Sequence, residues 1–124
     1  MSVMTKGIKG AMQHYEREGS LARATFTFER SFVGFNGHFP DNPILPGICL
    51  VQSVLLVCNE AMQRTMKIGA IERVKFSSFI APGEEIEVVC ESAFSSQTSL
   101  PVKAKVLKAG EKIAQIKLRI DVDE

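Results

Sequence analysis

The most constraining feature of the sequence is one long apolar segment at residues 47–66, GICLVQSVLLVCNEAMQRTM. It contains no helix breaker after Gly47, and Pro46 stands where a first helical turn tolerates proline. Apolar residues occupy nearly all sides of its first three turns, so other structure must surround them. The segment therefore predicts a central buried helix whose polar end, NEAMQRTMK, emerges into solvent.

Strands are predicted on both sides of this helix. The segment GAMQHYEREGSLARATFTFERSF is typical of two strands around the turn EREGS. Further strands are predicted at AIERVKFSSF, EEIEVVCESAF, PVKAKVLK and KIAQIKLRIDV. Short polar connections between the last three indicate an antiparallel meander. One buried helix among five or six antiparallel strands predicts an α+β domain whose sheet curls around the helix.

Length and charge limit the class of protein. The 124 residues predict a single domain, 1–124, with one core. The net charge of +1 creates no global field that would attract nucleic acid or an anionic membrane. The longest near-apolar run is too short to span a bilayer, and residues 1–16 lack the apolar run of a signal peptide. We expect a cytoplasmic protein that binds neither nucleic acid nor membrane.

Potential metal ligands are few and widely spaced. Cys49, Cys58 and Cys90 form no CxxC pair and no zinc spacing, and their apolar neighbours are typical of reduced, buried thiols. His14 and His38 are too far apart in the sequence to indicate a metal site. We expect neither a metal nor another cofactor.

A loop rich in proline and glycine, GFNGHFPDNPILPG, occupies residues 34–47 and leads into the helix. Its prolines stiffen it, because each fixes φ and restricts the preceding residue. The start of a helix presents unpaired N–H groups, and Gly47 lets a thioester or other carbonyl approach them closely. His38 could act as base or acid near neutral pH, or it could be a solvated or structurally hydrogen-bonded histidine.

The stretch GHFPDNPILPG resembles the signature of the FabA/FabZ-type 3-hydroxyacyl-acyl-carrier-protein dehydratases. The segment IERVKFSSFIAPGEEIEV is similar to a strand, turn and strand of the same family, and the resemblance covers roughly residues 21–90. It implies a hot-dog fold, a homodimer or a trimer of such dimers, and a 3-hydroxyacyl thioester substrate on acyl carrier protein or coenzyme A. It also implies that His38 is the catalytic base and that the Gly47 amide polarises the thioester carbonyl.

Gln52 departs from the family pattern. The family has a carboxylate fourteen residues after the histidine, facing the histidine of the partner subunit, and that position is Gln52 here. An amide donates and accepts hydrogen bonds but does not exchange a proton, so Gln52 either satisfies buried partners or orients the 3-hydroxyl group. Glu60 lies about 12 Å further along an ideal helix and about 80° around it, too far to replace the acid. Asp41, three residues after His38, could also replace the acid, but its place in the sequence DNP is more typical of a turn residue.

An acyl chain in this family lies between subunits. The resemblance implies that apolar loop, helix and strand residues contact it, although core packing explains the aromatic ones equally well. These residues are Phe35, Phe39, Pro46, Ile48, Phe76 and Phe79. A basic patch of Arg64, Lys67, Arg73 and Lys75 is either a docking surface for an acidic carrier protein or a solvated face.

Three functions remain open at this point. The first is a 3-hydroxyacyl-thioester dehydratase-like enzyme of fatty-acid or polyketide-type synthesis, with His38, Gly47 and Gln52 in its site. The second is a catalytically impaired subunit that binds acyl-carrier partners or completes a hetero-oligomer whose other chain supplies the carboxylate. The third is an acyl thioesterase, which gains nothing from Gln52 because activation of water also favours a carboxylate or another base.

Overall fold

A computed structural model of the chain describes residues 2–36, 43–95 and 97–123. These residues form two α-helices, one short 3₁₀ helix and six strands. In chain order the elements are α1 (Val3–Ala11), β1 (Met12–Glu18), β2 (Leu21–Thr27), the 3₁₀ helix (Val33–Phe35), α2 (Gly47–Met62), β3 (Met66–Phe76), β4 (Glu85–Glu91), β5 (Ser99–Lys108) and β6 (Glu111–Val122).

Helix α2 begins at the predicted residue and ends four residues earlier than predicted. Gln63 adopts the left-handed conformation, with φ of 53°, and its side-chain amide donates to the Glu60 carbonyl at 2.7 Å. The Asn59 side chain then accepts a hydrogen bond from the Met66 amide at 2.8 Å, which starts β3. None of the helices within the described ranges is long and apolar enough to cross a bilayer.

The six strands form one antiparallel sheet in the order β1-β2-β4-β5-β6-β3. The predicted meander is confirmed, because β4, β5 and β6 are neighbours in both sequence and space. Strand β2 pairs with β4, with Ala24 opposite Val88. Helix α2 and strand β3 therefore lie between two paired strands in the sequence but not in the sheet. Strand β3 pairs with β6 alone among the described residues, with Val74 opposite Ile116, and lies at the sheet edge.

The core lies between α2 and the concave inner face of the sheet. Inward-facing strand residues alternate with exposed ones, and Phe26, Val88, Val106 and Leu118 are fully buried. The helix buries ten residues: Cys49, Leu50, Val51, Ser53, Val54, Leu55, Leu56, Val57, Cys58 and Ala61. Since the sheet surrounds the helix, this is the arrangement expected of the predicted hot-dog fold.

The amino-terminal segment differs from the prediction, which placed Gly10 and Ala11 in a strand. They belong instead to helix α1, which is capped by Ser2 through a hydrogen bond from the Thr5 amide to the Ser2 hydroxyl at 3.0 Å. Ile8 on this helix is fully buried. Packing of the helix face that contains Ile8 against the core overrides the low helix propensity of Gly7 and Gly10.

Strand β3 does not show the alternating burial that its sequence predicts. Several of its apolar side chains are exposed, including Ile71 at 50 %, Val74 at 36 % and Phe76 at 43 %. Phe79, just beyond the strand, is 70 % exposed. An edge strand with exposed apolar side chains offers both backbone hydrogen bonds and apolar surface to another chain.

Arg17 joins strand β1 to the end of α2. Its Nη1 donates to the carbonyl of Ala61 at 2.8 Å, and its Nε donates to the carbonyl of Gly19 at 3.2 Å. Its guanidinium carbon lies 5.3 Å from the centroid of the Phe94 ring. This one side chain therefore holds the helix end, a strand end and a loop together.

We predict that Arg17→Ala lowers the free energy of unfolding by about 1 to 2 kcal/mol, because it removes charge-assisted hydrogen bonds to backbone carbonyls. Urea denaturation followed by circular dichroism measures the change. Arg64→Ala is the matched control, since Arg64 has no hydrogen bond or ion pair to another described residue. Equal losses in the two variants would contradict the interpretation.

The three cysteines are buried and unpaired, as expected. Burial raises the pKa of the Cys49 thiol to about 11. A hydrogen bond with Cys58, together with burial, raises the pKa of the Cys90 thiol. The thiolate forms of Cys49 and Cys90 are therefore scarce at neutral pH in the folded protein.

We predict that the native protein reacts slowly with a chromogenic disulfide reagent at pH 8 and that three thiols react rapidly once it is unfolded in guanidinium chloride. The thiolate is the nucleophile, and pH 8 lies well below the raised pKa of Cys49. The same protein in denaturant is the control. Rapid reaction of a thiol in the native state would show that the reagent reaches that cysteine without unfolding, and it would contradict the prediction.

Candidate active site

The first turn of α2 is the centre of the candidate site. Pro46 precedes Gly47 with ψ of 145°, and the helix start has no side-chain cap. The chain entering the helix is fixed by a hydrogen bond from the Leu45 amide to the Ile80 carbonyl at 2.8 Å. An uncapped helix start presents N–H donors and partial positive charge to whatever lies in front of it.

A cavity of about 240 Å³ lies beside this helix start. Its lining is apolar apart from Ser78 and backbone groups, and consists of Ile44, Leu45, Pro46, Gly47, Leu50, Phe76, Ser78, Phe79 and Ile80. A Cβ atom on Gly47 would lie 3.0 Å from Cε2 and Cζ of the Phe76 ring. Glycine at this position therefore lets the ring and the helix start approach closely. The structure brings Pro46, Gly47 and Phe76, three of the predicted site residues, to this one cavity.

Two other residues predicted to bind substrate lie elsewhere. Ile48 is 55 % exposed and is not among the residues that line this cavity. Phe35 is buried in the core, where its ring packs edge-on against Phe32 with centroids 5.9 Å apart. The sequence does not distinguish a core position from a cavity position here, because an apolar residue in a loop is compatible with either.

The remaining predicted site residues on the loop are His38 and Phe39, which lie outside the described residues. The same holds for Asp41. The described chain on either side of them ends at Asn36 and resumes at Pro43.

Gln52 is partly buried and lines a different, larger groove of about 850 Å³. This groove lies between α1, the second half of α2 and the start of β3, and Asn59 and Glu60 also line it. On an ideal helix Gln52 is displaced from Gly47 by about 7.5 Å along the axis and about 140° around it. Gln52 makes no hydrogen bond to another described residue. Gln52 and Gly47 of one chain therefore face two separate depressions.

The predicted basic patch is divided by the fold. Arg64 and Lys67 line the groove that contains Gln52. Arg73 lies on the outer face of the sheet, opposite Lys117 of β6, which in turn is opposite Lys103 of β5. The next row contains Lys75, Gln115 and Lys105. This basic strip, defined as Arg73, Lys75, Lys103, Lys105 and Lys117, depends on strand register and was not predicted.

The ionisable groups of the described residues form no cluster of three or more histidine, cysteine or acidic side chains that could hold a metal ion.

Structural comparison shows the fold. One chain of the dehydratase heterocomplex ApeI:P from Xenorhabdus doucetiae superposes with a TM-score of 0.71 and 21 % identity, over 89 % of this chain and 96 % of that chain. The E. coli PaaI protein of the phenylacetic acid degradation operon superposes with a TM-score of 0.70 and 11 % identity, over 95 % and 86 %. These likenesses confirm the predicted α+β hot-dog fold.

Sequence comparison finds curated 3-hydroxyacyl-[acyl-carrier-protein] dehydratases FabZ. The protein from Caldanaerobacter subterraneus subsp. tengcongensis is 36 % identical over 88 residues, covering 64 % of this chain and 61 % of the relative. That from Levilactobacillus brevis is 32 % identical over 87 residues, covering 64 % and 58 %. The match thus spans about three fifths of the length of these relatives.

A sequence model of the ApeI-like family, described as ApeI dehydratase, matches residues 13–117. The match includes β2, α2 and β3 to β5, together with the loop before the helix and most of β1 and β6. The chain therefore belongs to the ApeI-like dehydratase family.

Proposed function

We propose that the chain acts as a dehydratase-like lyase on 3-hydroxyacyl thioesters. The single observation that carries the proposal is the uncapped helix start at Gly47, facing an apolar cavity, in a member of a dehydratase family. A thioester carbonyl placed at the Gly47 amide would find a donor where negative charge develops. The apolar walls formed by Phe76, Leu50 and Ile80 suit an acyl chain.

Three groups have separate roles in the proposed reaction. His38 removes the proton at C2, and charge develops on the thioester oxygen near the Gly47 amide. The electron pair then forms the C2–C3 double bond as the hydroxyl at C3 leaves. His38 returns its proton to that hydroxyl, so that one water and one enoyl thioester are formed. Gln52 orients the leaving hydroxyl by hydrogen bonding, because an amide does not supply the proton.

A second copy of the chain fits the exposed edge of the sheet. Strand β3 has no neighbour on its outer side among the described residues and exposes Ile71 and Val74. Pairing of two such edges would cover apolar surface and satisfy backbone groups of both chains. Since Gln52 and Gly47 of one chain face separate depressions, we propose that Gln52 of one chain serves the His38 of its partner, as the family pattern implies.

The partial loss of the family pattern favours a second candidate function. Gln52 has no carboxyl group, and a structural neighbour of this fold is described as part of a dehydratase heterocomplex. In the second candidate, this chain pairs with a different hot-dog chain that supplies a helix carboxylate opposite His38. The chain alone would then have little activity.

We predict that the homo-oligomer converts a 3-hydroxyacyl thioester to the enoyl thioester and that His38→Ala lowers kcat by about 10²- to 10⁴-fold. Gln52→Glu should raise kcat by tenfold or more, because it supplies a proton donor. Product formation is followed by mass spectrometry. Glu60→Gln is the matched control, since Glu60 lines the same groove as Gln52 and should not affect turnover.

The outcomes separate the two candidates. Turnover by the native chain that depends on His38 supports the homo-oligomeric enzyme. An inactive native chain that gains activity with Gln52→Glu supports the second candidate. If neither the native chain nor Gln52→Glu converts the substrate, the dehydratase proposal is wrong.

We infer that an acyl carrier protein delivers the substrate at the basic strip. Lys103, Lys117 and Arg73 lie directly opposite one another in register. Lys117 has an ion pair with Glu72 at 3.9 Å and Glu91 is opposite Lys103, so the strip is only partly neutralised and keeps an excess of positive charge. The strip begins close to the candidate site, because Lys75 precedes Phe76, whose ring packs against Gly47. An acidic carrier surface complements this charge.

We predict that Lys103→Glu raises KM for the carrier-bound substrate by about tenfold, because it reverses the charge at the β5 end of the strip. The same variant should leave kcat/KM for a short pantetheine thioester unchanged. Lys6→Glu on α1 makes the same change of net charge on an exposed residue of another surface and serves as the control. Equal effects of Lys103→Glu on the two substrates would exclude docking at the strip.

A further inference from the structure

The Phe32 ring lies where three segments of the chain meet. Phe32 is buried and directly precedes the 3₁₀ helix, and its backbone is fixed by hydrogen bonds from its amide to the Glu29 carbonyl at 2.9 Å and from the Phe35 amide to its own carbonyl at 3.1 Å. Its ring packs against Phe28, with centroids 4.8 Å apart, and against Phe35. These hydrogen bonds and ring contacts together fix the position of the Phe32 side chain.

Two glycines hold this ring between them. A Cβ atom on Gly7 of α1 would lie 2.8 Å from Cε1 of Phe32. A Cβ atom on Gly34 of the 3₁₀ helix would clash with the other edge of the same ring. Since carbon atoms in contact prefer separations of about 3.5 Å or more, neither site accepts a side chain without movement of the ring or the backbone.

The same contacts reach the first turn of α2. A Cβ atom on Gly34 would also lie 3.0 Å from Sγ of Cys49, and Cys49 Sγ lies 3.7 Å from Sδ of Met4 on α1. Helix α1 thus packs on both the 3₁₀ helix and α2. The chain leaves the 3₁₀ helix at Asn36 and enters α2 at Gly47, so one packed cluster holds both ends of the segment that contains His38.

We propose that Phe32, held between Gly7 and Gly34, is a positioning residue that sets the 3₁₀ helix and Asn36, after which the sequence continues to His38, relative to the Gly47 end of α2. Phe32 touches no reacting atom in this proposal and acts through the packing of α1. The inference rests on the proposed function, because its main readout is turnover. A misplacement of about 1 Å between catalytic groups costs about 100-fold in rate.

The test is Gly7→Ala, which would move the ring or α1 by roughly 0.7 Å to reach a normal carbon contact. We expect kcat to fall by tenfold or more with KM changed by less than twofold. Gly10→Ala is the matched control, since it lies on the same helix and its added Cβ meets no atom within 4 Å. In a Phe32→Leu background the same Gly7→Ala substitution should change kcat by less than twofold, because the smaller side chain gives the methyl group room.

A second readout does not depend on activity. Amide hydrogen exchange of the native homo-oligomer, measured by mass spectrometry, should accelerate in peptides that contain Asn36 and Gly47 in Gly7→Ala but not in Gly10→Ala. If the chain has no dehydratase activity and this exchange difference is present, the proposed function fails and the positioning role stands. Unchanged exchange, or a kcat for Gly7→Ala equal to that of Gly10→Ala, would overturn the positioning role.

Discussion

Burial of helix α2 against the curled sheet is the interaction on which the rest of the structure depends. Ten residues of the helix are buried, while Gly47 and Ile48 at its start and Gln52 remain accessible. Each buried aliphatic side chain contributes about 1.5 to 3 kcal/mol relative to exposure, so the helix is fixed by its sides and not by capping at its start. The donors at Gly47 are thereby left for a ligand.

The candidate site is therefore assembled at the boundary between the core and an open surface. Phe76 belongs to the exposed edge strand, yet its ring packs against Gly47. The same strand places Lys75 on the opposite face, next to the lysines of β5 and β6. One edge strand thus connects the proposed oxyanion donor, the proposed chain interface and the proposed carrier surface.

In the proposed site the amide of Gln52 stands where the family resemblance implies a carboxylate, and this difference affects only part of the arrangement. Gly47 and the apolar cavity do not depend on it, because Gln52 faces a separate groove. Loss of a general acid costs a factor of roughly 10² to 10⁴, which leaves slow catalysis physically possible. The exposed apolar residues of β3 provide a surface for a second copy of the chain or for the different chain that would supply the acid in the second candidate function.

The sequence by itself determined the central helix, the meander and the position of Gly47, because these follow from local hydrophobic patterns and from a compact motif before the helix. Tertiary structure alone decided the formation of helix α1 and of the basic strip. Helix α1 forms in spite of Gly7 because that glycine packs on Phe32, a contact between residues distant in sequence. The basic strip exists only because register places Lys103 and Lys117 opposite each other. Register and long-range packing are properties of the whole sheet, and no local stretch of sequence specifies them.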